Sequence, residues 1–184
     1  MSEVKAMYVH IPFCKSICAY CDFTKVFYSF LYEEKYLDAL ENEIINDNPN
    51  KCNTIYIGGG TPSVLSNEGL ERLLLFLSKY LDNEYEFTIE VNPETIDDDK
   101  VKIFKKYGVN RVSIGVESFN DEILSILSRK HSFEDVKKCV NLLNKYDIDN
   151  YSFDFIYGIR GLKLSHIEKD FSYIDILKPK HLSF

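Results

Sequence analysis

The chain has 184 residues, 45% hydrophobic and 28% charged, with a formal net charge of −7. That length suits one domain, residues 1–184, with a real core, and the composition is that of a soluble globular protein. An acidic balance without a long Lys/Arg block argues against nucleic acid as a partner, and the absence of an apolar signal core or membrane-length stretch points to the reducing cytoplasm.

Strand and helix patterns alternate along the chain. Short β-branched and aromatic runs predict strands at Met7–Ile11, Thr54–Ile57, Glu86–Val91, Arg111–Ile114, Ser152–Tyr157 and His181–Phe184. Between them, Tyr36, Leu37, Leu40 and Ile44 form one helical stripe, and Leu70, Leu73, Leu74, Leu77 and Leu81 form a second. Val101 and Phe104 mark a third helix, closed by Gly108 in a left-handed C-cap. Asn120 caps a short helix towards Ser128, and Ser132 opens a longer one through Tyr146. Ser165 and Glu168 have capping-box spacing for the last helix, which carries Ile167, Phe171, Ile174 and Leu177 inward and stops at Pro179. Strict alternation implies an α/β fold with a parallel sheet, either open or curled towards a barrel, and a ligand at the carboxyl ends of its strands. The sequence stops at Phe184 inside a predicted strand, so a truncated molecule is expected.

The first strand runs straight into Cys14, Cys18 and Cys21, spaced C-x3-C-x2-C. Three thiolates on one loop can hold a four-iron cluster and leave one iron open to a substrate or cofactor. Zinc is the alternative, with His10 or Asp22 as a fourth ligand, although zinc sites usually show paired C-x2-C knuckles. Five cysteines is an odd number, which weakens a disulfide framework. Cys139 shares a helical stripe with Val136, Val140 and Leu143 and reads as core, while Cys52 stands alone.

Polar residues of unusual type recur at the strand ends. Gly58-Gly59-Gly60-Thr61-Pro62 follows the second strand, where consecutive glycines let backbone amides approach a ligand or simply make a tight turn. Glu90 closes the third strand and Glu117 follows the fourth. Arg129 offers a planar fork for a carboxylate. Asp154 interrupts Phe153, Phe155 and Ile156 in a strand expected to be buried, where an unpaired charge is costly.

The cysteine motif after a first strand and the Gly-Gly-Gly-Thr-Pro turn resemble those of radical S-adenosylmethionine proteins. The wider string Tyr8-Val9-His10-Ile11-Pro12-Phe13-Cys14 is similar to the oxygen-independent coproporphyrinogen III oxidase family, with support from Glu90-Val91-Asn92-Pro93, Ser113-Ile114-Gly115-Val116 and Asp154-Phe155-Ile156-Tyr157-Gly158. True oxidases in that family carry another cysteine two residues after the third ligand and a longer N-terminal arm. Here that position is Phe23, in Cys21-Asp22-Phe23, which resembles the haem chaperone (HemW-like) branch.

The resemblance implies a partial (β/α)6 TIM-like barrel of the radical SAM type, truncated at the sixth strand. It implies a [4Fe-4S] cluster on Cys14, Cys18 and Cys21, with S-adenosyl-L-methionine on the open iron. Tyr8 and Tyr20 would flank the cluster and adenine, Gly59, Gly60 and Thr61 the methionine end, and Asp154 the ribose. Glu90, Glu117 and Arg129 would also lie near the cofactor, and His10 would support the site from behind. The family usually has Gln at position 117 and Gly-Leu-Pro where this chain has Gly158-Ile159-Arg160. Implied partners are haem or a porphyrin, haem-acceptor proteins and a flavodoxin- or ferredoxin-type electron donor. The implied activity is haem handling or, alternatively, radical oxidative decarboxylation of porphyrinogen propionates; a zinc-stabilised binding domain is the third reading.

Overall fold

The computed structural model describes residues 5–184. Its main sheet has six strands, all parallel, in the order β1 (Ala6–Ile11), β4 (Cys52–Gly59), β5 (Leu81–Val91), β6 (Arg111–Glu117), β7 (Tyr151–Phe155) and β8 (His181–Ser183). Helices α1 (Phe30–Asp47), α2 (Asn67–Ser78), α3 (Asp98–Lys106), α4 (Asp121–Ile126), α5 (Phe133–Lys145) and α6 (Leu164–Leu177) lie between them in the chain. Each sequential strand adds next to its predecessor, the progression of a (β/α) barrel wall. A two-stranded parallel ribbon, β2 (Phe13–Cys14) with β3 (Val26–Phe27), was not foreseen because each strand has only two residues.

Period-two alternation divides the main sheet into two chemistries. Val9, Ile11, Ile55, Ile57, Phe87, Ile89, Val112, Ile114 and Phe153 are almost fully buried and form one core with the helices. The intervening residues include Tyr56, Gly58, Glu90, Ser113, Gly115 and Asp154, and they face the open side. Asp154 is therefore no intruder in an apolar strand. It accepts a hydrogen bond from Ser113 Oγ at 2.9 Å on a polar face shared by neighbouring strands.

The helix ends mostly follow local sequence. Gly108 takes φ +85 after α3, and the Val109 amide donates to the Phe104 carbonyl at 3.0 Å. Asn120 caps α4 through the Glu122 and Ile123 amides, and Ser132 with Asp135 forms a capping box on α5. Three expectations fail. Leu81 continues the leucine spacing of α2, yet that helix stops at Ser78 and Leu81 pairs with Cys52 as the first residue of β5. Pairing with a neighbouring strand overrides the local pattern. Helix α6 starts at Leu164, so Ser165 lies inside its first turn; the Lys163 amide instead donates to His166 Nδ1 at 3.3 Å. Phe171 is 48% exposed, because the inward position is taken by Asp170, which bonds a turn beyond β6.

Candidate cofactor site

The cysteine loop is fastened at both ends. After Cys14, the chain returns at Val26, whose amide donates to the Pro12 carbonyl at 2.8 Å, and the Tyr28 amide donates to the Cys14 carbonyl at 2.9 Å. Between these ties, His10 Nε2 pairs with the Thr24 carbonyl at 2.9 Å, and the Lys25 ammonium donates to the Cys21 and Phe23 carbonyls. His10 thus ties the loop to β1.

The glycine turn packs directly under the first thiol. The Gly60 amide donates to the Ile11 carbonyl and the Thr61 amide to the Phe13 carbonyl, both at 2.8 Å. Thr61 Oγ1 points at Cys14 Sγ, 3.7 Å away. A Cβ on Gly60 would lie 2.8 Å from Cys14 Sγ, so only glycine leaves room there. Gly59 has φ +120, a conformation that other residues rarely adopt.

Together these elements enclose a cavity of about 370 Å³ at the carboxyl ends of the strands. It is lined by Cys14, Cys18, Cys21, Tyr20, Gly59, Gly60, Thr61, Glu90, Glu117, Arg129 and Asp154. Of the residues the resemblance assigns to the cluster and cofactor, Tyr8 does not line it, and neither do His10 and Asp22, the alternative fourth ligands for zinc. Tyr8 is 59% exposed, bonds His10 Nδ1 at 3.0 Å and stacks on Tyr56, which does line the cavity. Tyr56, Asn92 and Ser113 were missed as site residues. Strand parity was the signal that could have found two of them, since Tyr56 shares the open face with Gly58, and Ser113 with Gly115.

Charge is paired tightly inside the cavity. Tyr56 donates to Glu90 Oε1 at 2.6 Å and the Gly59 amide to Glu90 Oε2 at 3.1 Å. Arg129 donates to Asn92 Oδ1 at 3.0 Å and to the Gly115 carbonyl at 2.5 Å, and lies 3.9 Å from Glu117 Oε1. Tyr20 donates to the same Glu117 oxygen at 2.8 Å. Burial pushes the carboxyls of Glu90, Glu117 and Asp154 above the usual range, against the pull of their hydrogen-bond donors. Burial also opposes the Arg129 charge, but Glu117 and Tyr20 hold its pKa above the ordinary value. The Cys14 thiol is pushed up by burial, so a metal there must displace a proton.

These residues fit a cluster and a cofactor that carries a carboxylate. All three thiols are free and line one cavity. Among the described residues no three His, Cys, Asp or Glu side chains gather closely enough for a single metal ion. Arg129 Nε is buried without a hydrogen-bond partner, with its side chain only 6% exposed, and an anionic ligand group would satisfy it.

Comparison with known proteins gives the same reading. The radical SAM superfamily profile matches residues 8–174. The chain belongs to the radical SAM superfamily. Members of this superfamily use a [4Fe-4S] cluster with S-adenosylmethionine. It is 38% identical to the "Heme chaperone HemW" of Bacillus subtilis, over 98% of this chain and 49% of that protein. It is also 38% identical to the protein of the same name from Lactococcus lactis, over 100% of this chain and 49% of the other. The solved Escherichia coli coproporphyrinogen III oxidase HemN, described as a radical SAM enzyme, superposes with a TM-score of 0.88 at 28% identity, covering 99% of this chain and 44% of its own. The chain spans about half the length of the curated relatives it matches. No helix among the described residues is long and apolar enough to cross a membrane.

Proposed function

We propose that this chain is the cofactor-binding part of a haem-handling radical SAM protein acting in the cytoplasm. Cys14, Cys18 and Cys21 would hold the [4Fe-4S] cluster, and Arg129, through its unpartnered Nε, would bind the carboxylate of S-adenosylmethionine. Gly59, Gly60 and Thr61 would admit the methionine end, Tyr20 would flank the adenine, and Asp154, Glu90 and Glu117 would supply hydroxyl and ammonium acceptors. Tyr8 would act only through Tyr56. When bound and reduced, the cluster would supply one-electron chemistry to S-adenosylmethionine, and an electron donor of the flavodoxin or ferredoxin type would feed it. Haem or a porphyrin is the expected cargo, with haem-acceptor proteins as its destination.

One observation favours haem handling over oxidative decarboxylation. Phe23 stands at the position where the resemblance places an additional cysteine in the oxidases, and its exposed side chain borders the cavity. The deciding experiment is anaerobic reconstitution followed by electron paramagnetic resonance with and without S-adenosylmethionine, then haem titration and a search for decarboxylated tetrapyrrole. A [4Fe-4S]+ signal reshaped by the cofactor, with haem binding and no decarboxylated product, is the expected result. Detection of decarboxylated product would transfer the assignment to the oxidase, and zinc retained without iron would overturn the radical reading altogether.

A further inference from the structure

Glu117 sits in an unusual backbone conformation at the end of β6, where the Ser118 amide donates to the Val116 carbonyl at 2.7 Å and the Ile156 amide to the Glu117 carbonyl at 3.0 Å. Its φ is +61, in the left-handed region that few residues other than glycine occupy. The pairing of β6 with β7 shifts register between Gly115 and Glu117, and such a bulge re-aims a side chain. A backbone strained in this way persists only when its surroundings over-determine it.

Helix α6 holds the two residues that follow Glu117. Asp170 is buried in that helix, and its carboxylate accepts from the Phe119 amide at 2.8 Å and from Ser118 Oγ at 3.0 Å. The Phe119 ring packs edge-on against Tyr173 of the same helix, with centroids 5.3 Å apart. The two residues after Glu117 are therefore locked to α6 by both hydrogen bonds and an aromatic contact. Beyond this lock, the Glu117 carboxylate receives the Tyr20 hydroxyl, a contact between residues 97 positions apart. Tyr20 lies on the arc between Cys18 and Cys21.

We propose that Asp170 is a positioning residue for the cysteine loop, acting through the Ser118–Phe119 turn, Glu117 and Tyr20. A carboxylate outside the cavity thereby sets where two of the three thiols stand. This rests on reading the loop as the seat of the cluster. If Asp170 merely fastened α6 to the sheet, its loss would lower stability without a specific effect at the cluster.

The test is a double-mutant cycle on the cluster-loaded chain. S-adenosylmethionine affinity is read from the change in the electron paramagnetic resonance lineshape during titration, with thermal unfolding recorded alongside. Asp170→Ala is expected to weaken that affinity about tenfold, and Asp170→Asn, which still accepts from the Phe119 amide, to recover most of it. In a Tyr20→Phe background the Asp170→Ala effect is expected to shrink to less than about twofold, because the route is already cut. If Asp170→Ala does not fold, Ser118→Ala removes one donor to Asp170 and carries the same cycle. A full effect retained in the Tyr20→Phe background, or lowered stability with unchanged affinity, overturns the inference. A wild-type chain that takes up no cluster overturns the cofactor reading itself and this inference with it.

Discussion

The two faces of the sheet are built from alternate residues of the same strands and follow opposite rules. On the helix-covered face, Ile55, Ile57, Phe87 and Ile89 are excluded from water, and their value lies in apolar area and close packing. On the open face, Tyr56, Glu90, Ser113 and Asp154 are polar, partnered with each other and arranged around a cavity. One face contributes stability and the other positions chemistry, so substitutions on the two should separate folding from ligand loading.

The largest effect is expected on the covered face. Phe87 is fully buried in the core cluster, and Phe87→Ala leaves a cavity there. A loss of about 3–5 kcal/mol is expected, or roughly 10 °C in Tm for a chain of this size. Whatever fraction stays folded should load iron normally. Thermal unfolding and iron content measured on the same sample check this, and iron loss out of proportion to unfolding would break the division between the faces.

A smaller change in stability with a larger change in loading is expected from Gly60→Ala. The new methyl would lie 2.8 Å from Cys14 Sγ and equally close to the Phe13 and Pro12 carbonyls. Relief requires a shift of the cysteine loop, at a cost of about 1–3 kcal/mol. Iron per chain should fall well below that of Phe87→Ala at equal folded fraction. Full loading with an unaltered resonance spectrum would show that the turn is only a turn.

Much of this division was legible in the sequence, and the parts that were not share a cause. The alternation of elements, the cysteine loop, the glycine turn and the caps at Asn120 and Ser132 are written in short-range patterns that local physics enforces. Asp154 was noticed as costly because its strand was expected to be buried throughout. Strand parity places it instead on a polar wall with Ser113 as donor. The contact of Tyr20 with Glu117, and the lock of Asp170 on Ser118 and Phe119, join residues far apart in sequence and carry no local periodicity. The same lock explains why the inward phase of α6 was misplaced towards Phe171. Its buried position is set by two hydrogen-bond donors on a distant turn rather than by apolar spacing.

The smallest expected effect is one of pH, and it sharpens the comparison because the covered face has no part in it. Burial raises the carboxyl pKa values of Glu90 and Asp154 in the folded chain above those of the unfolded chain. Between the two values the folded state binds more protons than the unfolded state, so stability falls as pH rises. The contribution is therefore fully present below the ordinary carboxylate pKa and is lost as pH climbs through the raised folded values. In the metal-free chain these carboxyls should pull Tm down across that window, against buried His131, whose lowered pKa acts in the opposite sense, and Glu90→Gln with Asp154→Asn should weaken that pull without abolishing it, since Glu117 and Asp170 are raised by burial in the same direction. Phe87→Ala should lower the whole curve and keep its slope. A double variant with the wild-type slope would mean that the open face keeps both carboxylates as comfortably charged as water does, and that its polarity is not held in reserve for a ligand.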